Sequence, residues 1–338
     1  MYVDIHCHYA SPDFPEQARP YLGAAAPAIL REPDGTEVLM RYGRRVPFLR
    51  GELTRLTSHL DRAPLLEGCI QVLAPPTFFF FYNEPAEVAA PLCALLNDGL
   101  SEAVRLHPNR MAGMAAVPMQ DARYAIAELE RTHANLNMRA VCIGSNVNGR
   151  GLDSAEFWPF YEVAEALGVP IFIHPMSSDL AGADRMREYF LHNLIGNPLD
   201  TTLAAARLIF GGVLEAFPEL QVCLAHGGGY LAWASGRMAR GYTVRPECRH
   251  SLRQSPHELM NRFYVDTIVH SPQALEYLIA CFGADRVLCG SDYPFQIGDP
   301  SPTELVEGHP HLTDEDRQRI LRENATKLFR LEPRDLQS

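Results

Sequence analysis

Paired cysteines are missing from this chain. Its eight cysteines, Cys7, Cys69, Cys93, Cys142, Cys223, Cys248, Cys281 and Cys289, show no CxxC spacing, and several sit inside apolar runs such as GCIQVL, AVCIG and VCLAH. They read as buried, reduced thiols of a cytoplasmic protein rather than as disulfides or a zinc knuckle. Long apolar runs are missing too: nothing approaches the ~18 apolar residues of a membrane span. The opening MYVDIHCHYASPDF has neither the basic start nor the apolar core of a signal peptide, so none is expected. Positive charge is in deficit, with 30 Lys and Arg against 41 Asp and Glu and a net charge of -11. That balance argues against a general nucleic-acid or anionic-membrane binder. It leaves room for a small anionic substrate met by local arginines. Repeats, low-complexity tails and linkers are also absent, so one domain over 1–338 is expected.

What is present is an alternation. Eight short apolar runs, at 2–8, 68–75, 111–118, 139–145, 170–175, 221–227, 263–267 and 286–292, read as strands buried on both faces, as parallel strands are. Helical patterns lie between most of them. PAEVAAPLCALLNDGLSEAVRLHP precedes the third run, ARYAIAELERTHANL the fourth, and SAEFWPFYEVAEALG, with Gly168 as its stop, the fifth. LDTTLAAARLIFGGVLEAFP precedes the sixth and SPQALEYLIACFG the eighth. Eight alternating units predict a (β/α)8 TIM barrel of the α/β class. The stretch 9–60, rich in Pro, Gly and Arg, reads as a long insertion after strand one that covers the mouth of the barrel.

Polar residues then fall at the strand ends. In a strand, residues two apart face the same side, so HCH aims His6 and His8 at one point: half a metal site, or a buried polar pair. His174 ends IFIHP, His226 follows CLA and Asp292 ends LCGSD. One histidine after an apolar strand is more often a satisfied interior residue. Five such residues at four strand ends, which a barrel gathers on one face, are hard to assign to packing. Three imidazoles and a carboxylate, from His6, His8, His174 and Asp292, suit one divalent cation: Zn2+ first, with Mn2+, Fe2+ or Co2+ less specifically matched. His226 then needs another task. It precedes GGG, which lets backbone and substrate approach closely, and reads as the general acid or base beside the metal. A fifth ligand, or an orienting residue, is the alternative.

DIHCH, IFIHP, LAHGGG and LCGSDYPF, in this order and spacing, resemble the amidohydrolase superfamily. Within it they resemble the decarboxylase branch typified by aminocarboxymuconate-semialdehyde decarboxylase. The resemblance runs over nearly the whole chain and implies a (β/α)8 barrel with a single metal, usually zinc. It implies ligand roles for His6, His8, His174 and Asp292 and a catalytic role for His226. Many superfamily hydrolases bridge two metals with a carbamylated lysine at the end of strand four. Here that strand ends IGSNVNG, which implies a mononuclear site. The resemblance further implies substrate-binding arginines at a homodimer interface, which map onto Arg237 and Arg245. It implies another arginine before strand two, for which Arg44, Arg45 and Arg50 are available and Arg45 is favoured.

The chain departs from the branch around the pocket. After HP it has MSSD where the prototype has an aromatic, and after strand two it has PPTFFFFYNEP. Phe78, Phe79, Phe80, Phe81 and Tyr82 cannot all face one core. Some of them, Phe79 among them, are expected to wall a ligand pocket or to form an interface patch. The leading expectation is a metal-dependent, non-oxidative decarboxylase of a small unsaturated or aromatic carboxylic acid, with Asp292 or His226 handling the proton that replaces CO2. A hydrolase or hydratase on the same site is the second reading. A metal-stabilised binding protein is the third, and it leaves His226 without a purpose.

Overall fold

The computed structural model describes residues 1–31, 33, 37–41, 44–46, 53–61, 68–176 and 179–331. Eight strands form one parallel sheet in chain order: β1 Tyr2–His8, β2 Cys69–Ala74, β3 Met111–Ala116, β4 Ala140–Gly144, β5 Ile171–His174, β6 Val222–Leu224, β7 Tyr264–Asp266 and β8 Val287–Leu288. Each coincides with one of the apolar runs. All their residues are buried, as strands covered by helices on one side and a filled barrel on the other must be. The sheet curls back on itself. The Ile5 N–H donates to the Cys289 carbonyl at 2.9 Å and the Asp292 N–H to the His6 carbonyl at 2.8 Å, joining the eighth strand segment to the first. Among the described residues this is the (β/α)8 barrel.

The helices follow from apolar spacing and local stop signals. Helix Ala86–Leu106 buries Ala89, Leu92, Cys93, Leu96, Leu100 and Ala103, a stripe of three- and four-residue steps that lies on β3. Asp121 caps Ala122–Asn135 by accepting the Arg123 N–H, and Ser271 caps Pro272–Phe282 by accepting the Ala274 N–H. Gly168 ends Trp158–Leu167 in the left-handed conformation, as its place after the pattern predicts. Between β1 and β2 the barrel helix is replaced. There the described residues form helix Phe14–Leu22, an antiparallel sheet of Ala28–Arg31, Glu37–Arg41 and Arg44–Val46, and helix Leu56–Asp61. Helix Leu56–Asp61 packs on the flank of β1 and β2: Gln71 of β2 donates to the His59 carbonyl at 2.8 Å, and the His59 ring meets the Tyr293 ring edge-on at 4.9 Å.

Candidate metal centre

His6, His8, His174 and Asp292 each bring one donor atom into a group whose members all lie within 4.8 Å of one another, and all four side chains are buried. The Nε2 atoms of His6 and His8 are 3.2 Å apart. Asp292 Oδ1 lies 3.2 Å from His6 Nε2, 3.1 Å from His8 Nε2 and 3.9 Å from His174 Nε2. Two backbone features produce this convergence. Strand β1 slips by one residue against β2 between Asp4 and Cys7, a bulge of the kind that re-aims side chains beside active sites. Asp292 takes φ +58, which turns the chain sharply after β8. His226 is the fifth member. Its Nε2 stands 3.5 Å from Asp292 Oδ2, and its ring centroid lies 5.1 Å from that of His174. With 15% of its side chain exposed, against 5% for Asp292 and none for His6, it is the ring most open to an incoming molecule.

The other ring nitrogens fix which atoms face inward. His6 Nδ1 is 2.8 Å from Asp266 Oδ2, and His174 Nδ1 is 2.7 Å from the Pro175 carbonyl. Neither oxygen can donate, so both rings carry a proton on Nδ1 and turn Nε2 inward. Burial drives the His174 ring down to about 3 and also lowers His8, so both are neutral. Burial would lower His6 as well, but Asp292 and Asp266 on its two sides outweigh it and push the ring up to about 10. Burial alone would raise Asp292. The surrounding imidazoles, His6 foremost, instead hold its carboxyl well below the usual carboxylate range. His174 Nε2 is buried without a hydrogen-bond partner. An orphaned lone pair beside two more imidazoles and an ionised carboxylate is a donor set that a divalent cation satisfies and a hydrogen-bond network among these groups does not.

One residue that the sequence reading assigned no role is central here. Asp266 ends β7 and is fully buried. Besides His6 it accepts the N–H of His226 on Oδ2 at 2.9 Å, and those of Gly227 and Ile268 on Oδ1 at 2.8 and 3.1 Å. The signal was available: FYVDT ends a buried strand in a carboxylate, as LCGSD does. Asp4 in turn accepts the Ser291 N–H at 3.0 Å and holds the segment that carries Asp292.

The amidohydrolase family profile matches residues 72–331, which span six of the strands completely and half of a seventh. The chain belongs to the amidohydrolase family. Among its relatives is 2-amino-3-carboxymuconate-6-semialdehyde decarboxylase of Dictyostelium discoideum, 38% identical over 266 residues, which are 78% of this chain and 73% of the relative. The fold matches that of 5-carboxyvanillate decarboxylase from Sphingomonas paucimobilis with a TM-score of 0.84, at 23% identity and over 98% and 99% of the two chains. It also matches a dihydroxybenzoic acid decarboxylase from Polaromonas sp., solved with bound manganese and the inhibitor 2-nitroresorcinol. There the TM-score is 0.78, at 24% identity and over 98% and 97% of the two chains.

In this amidohydrolase β4 is followed by Ser145 and Asn146, which both donate to the buried Asp200. The glycines after His226 permit close approach of the backbone, as expected, to neighbouring parts of the protein. Gly227, Gly228 and Gly229 all have positive φ. A Cβ on Gly227 would meet Val269 Cγ1 at 2.5 Å, and one on Gly229 would meet the Pro198 carbonyl at 2.0 Å. They let the turn pack against the protein itself.

The aromatic run also differs from expectation. Phe79, Phe80, Phe81 and Tyr82 are all buried, shared between two clusters. Phe79 and Phe81 join Phe14, Leu39 and Leu53, while Phe80 and Tyr82 join the main core. Among the described residues the Phe79 ring faces a satellite core rather than the histidine cluster. Phe78, half-buried, packs on Phe79 at the rim of that satellite core and also lies 6.5 Å from Phe295, whose ring is 5.2 Å from that of His8. Arg237 and Arg245 are exposed on and just after helix Leu231–Val244, with Arg245 paired to Glu247. Among the described residues neither makes a hydrogen bond or ion pair to the five groups of the centre. Arg45 is exposed on strand Arg44–Val46, and Arg50 lies outside the described residues. Arg41, which the sequence reading did not weigh, places its guanidinium 4.6 Å over the Phe81 ring.

Proposed function

We propose that this amidohydrolase is a metal-dependent, non-oxidative decarboxylase of a small aromatic or unsaturated carboxylic acid. The observation that carries the reading is the convergence of His6, His8, His174 and Asp292 within 4.8 Å, with His226 beside them, in a chain 38% identical to a decarboxylase. His6, His8, His174 and Asp292 would hold one divalent ion. Zn2+ suits three imidazoles and a carboxylate; Mn2+ has the support of the neighbouring fold solved with manganese. The bound ion would supply Lewis-acid attraction for the substrate carboxylate and an adjacent oxygen. His226, the most open of the five groups, delivers the proton to the carbon that loses CO2, and Asp292 orients it through Oδ2. Phe78 and Phe295 offer apolar faces for the substrate's unsaturated carbons.

Several further features belong to this reading. The protein works as a homodimer, supported by an apolar surface on which Trp233 is 82% exposed beside the exposed Tyr277, with Tyr230 and Leu203 nearby. Eight free thiols, six of them buried, support a reducing cytoplasmic setting and a single domain without disulfides. Among the described residues no helix is long and apolar enough to cross a membrane.

The test is CO2 release by Zn2+- and Mn2+-loaded protein from a panel of hydroxybenzoic and carboxymuconate-type acids. Release from a panel member supports the reading. Conversion without CO2 would establish the hydrolase or hydratase reading in its place.

A further inference from the structure

We propose that Asp266 is a positioning residue that ties the placement of His6 to that of His226, so that the metal centre and the proton-handling ring are set by one carboxylate. The proposal rests on the metal-centre reading above. Asp266 is fully buried, and its acceptor positions are filled by four donors from three elements. Oδ2 is shared between the His6 ring, 2.8 Å away, and the His226 N–H, 2.9 Å away. The two groups therefore meet at a single oxygen. On the His6 side, an acceptor at Nδ1 keeps a proton there and leaves Nε2 facing His8 and Asp292. On the other side, His226 and Gly227 both take positive φ, +55 and +61, and point two successive N–H groups at the same carboxylate. A left-handed histidine needs such an outside hold, and this conformation brings its ring to 5.2 Å from that of His6. Space for the arrangement comes from Gly290 of the eighth strand segment, where a Cβ would lie 3.1 Å from the Cβ atoms of both Asp266 and His6.

Asp266→Asn separates the two functions from simple packing, because the side chain keeps its size and loses one acceptor. If the amide NH2 takes the place of Oδ2, it faces the His6 Nδ1 proton and the His226 N–H. If it takes the place of Oδ1, it faces the N–H groups of Gly227 and Ile268. Neither orientation satisfies both sides. Two readouts need no substrate: Zn2+ affinity by chelator competition, and amide hydrogen exchange in the segment around His226 and Gly227 of the Zn2+-loaded protein. The expected result is a Zn2+ dissociation constant raised at least about tenfold, the usual scale for losing the partner of a ligating histidine, together with exchange in that segment accelerated at least about tenfold. A change in one readout without the other, or in neither, overturns the linkage. Should the variant fail to fold, histidine-nitrogen NMR of Zn2+-loaded wild-type protein decides. A proton on His6 Nδ1 with protected His226 and Gly227 amides supports the proposal, and a proton on Nε2 or unprotected amides overturns it. Wild-type protein that binds neither Zn2+ nor Mn2+ overturns the metal-centre reading itself, and this proposal with it.

Discussion

His6 Nε2 and His8 Nε2 stand 3.2 Å apart, and Asp292 Oδ1 is 3.2 Å from the first and 3.1 Å from the second. Three such atoms at hydrogen-bond distance from one another, all buried, form a set that a divalent cation would satisfy. The first two follow from a pair of imidazoles two residues apart on one bulged strand. The third arrives from the neighbouring eighth strand segment, at the other end of the sequence.

His174 supplies the fourth donor, and its Nε2 has no other partner. The protein carrying His174→Ala is expected to purify with far less than one metal per chain, because three ligands close the shell poorly. Metal analysis of the purified variant checks this. Full occupancy with full activity would remove His174 from the ligand set.

His226 is expected to behave differently. His226→Ala should keep its metal and lose turnover by on the order of 10^2-fold or more, the scale of a missing general acid or base. Parallel metal analysis and CO2-release assays separate the outcomes. Metal lost in step with activity would make His226 a ligand.

The aromatic loop offers a paired experiment. Phe79→Ala empties a site in a closed satellite core and is expected to destabilise the protein by about 3–5 kcal/mol with little effect on KM. Phe78→Ala, beside Phe295, is expected to cost little stability and to raise KM. Thermal unfolding and steady-state kinetics on both variants check the assignment. The reverse pattern would move the pocket wall to Phe79.

Arg237 lies eleven residues beyond His226, past the glycine turn and on helix Leu231–Val244, whose first seven residues carry it roughly 10 Å along the helix axis. A two-fold neighbour could return it to the other chain's mouth, where its guanidinium would bind a substrate carboxylate bidentately. Mixing the inactive variants Arg237→Ala and His174→Ala is then expected to restore part of the activity, as hybrid dimers regain one intact site. No recovery despite measured subunit exchange would place the action of Arg237 in its own chain or nowhere.

The barrel was legible because its strands are buried on both faces. Runs such as GCIQVL and PIFIHP carry that signal without any partner. The four donor residues were legible for a related reason: each interrupts an apolar run at its end. Asp266 interrupts FYVDT in the same way, yet it faces a ring nitrogen and a turn of the backbone rather than the cluster, a difference written in no spacing. The aromatic run misled at Phe79 because alternation states only that neighbours point apart. Which side is a core depended on Phe14, Leu39 and Leu53, which come from the segment between β1 and β2. The positive φ of His226 and Asp292 was likewise out of reach, since neither residue type announces it.

The seam of the barrel has a mechanical consequence. His6 and His8 lie on one side of the join between the first and eighth strand segments and Asp292 on the other, 284 residues from His8 along the chain. An ion held by all three would act as a rivet across the only join in the ring that the chain makes late in sequence. It would tie together the longest closed loop in the fold, where a crosslink removes the most freedom from the unfolded chain. Loading and unloading the metal should therefore tighten and loosen the ring at that seam. The amide protons of Ile5 and Asp292, which bridge it, are the atoms at which that tightening would be felt first.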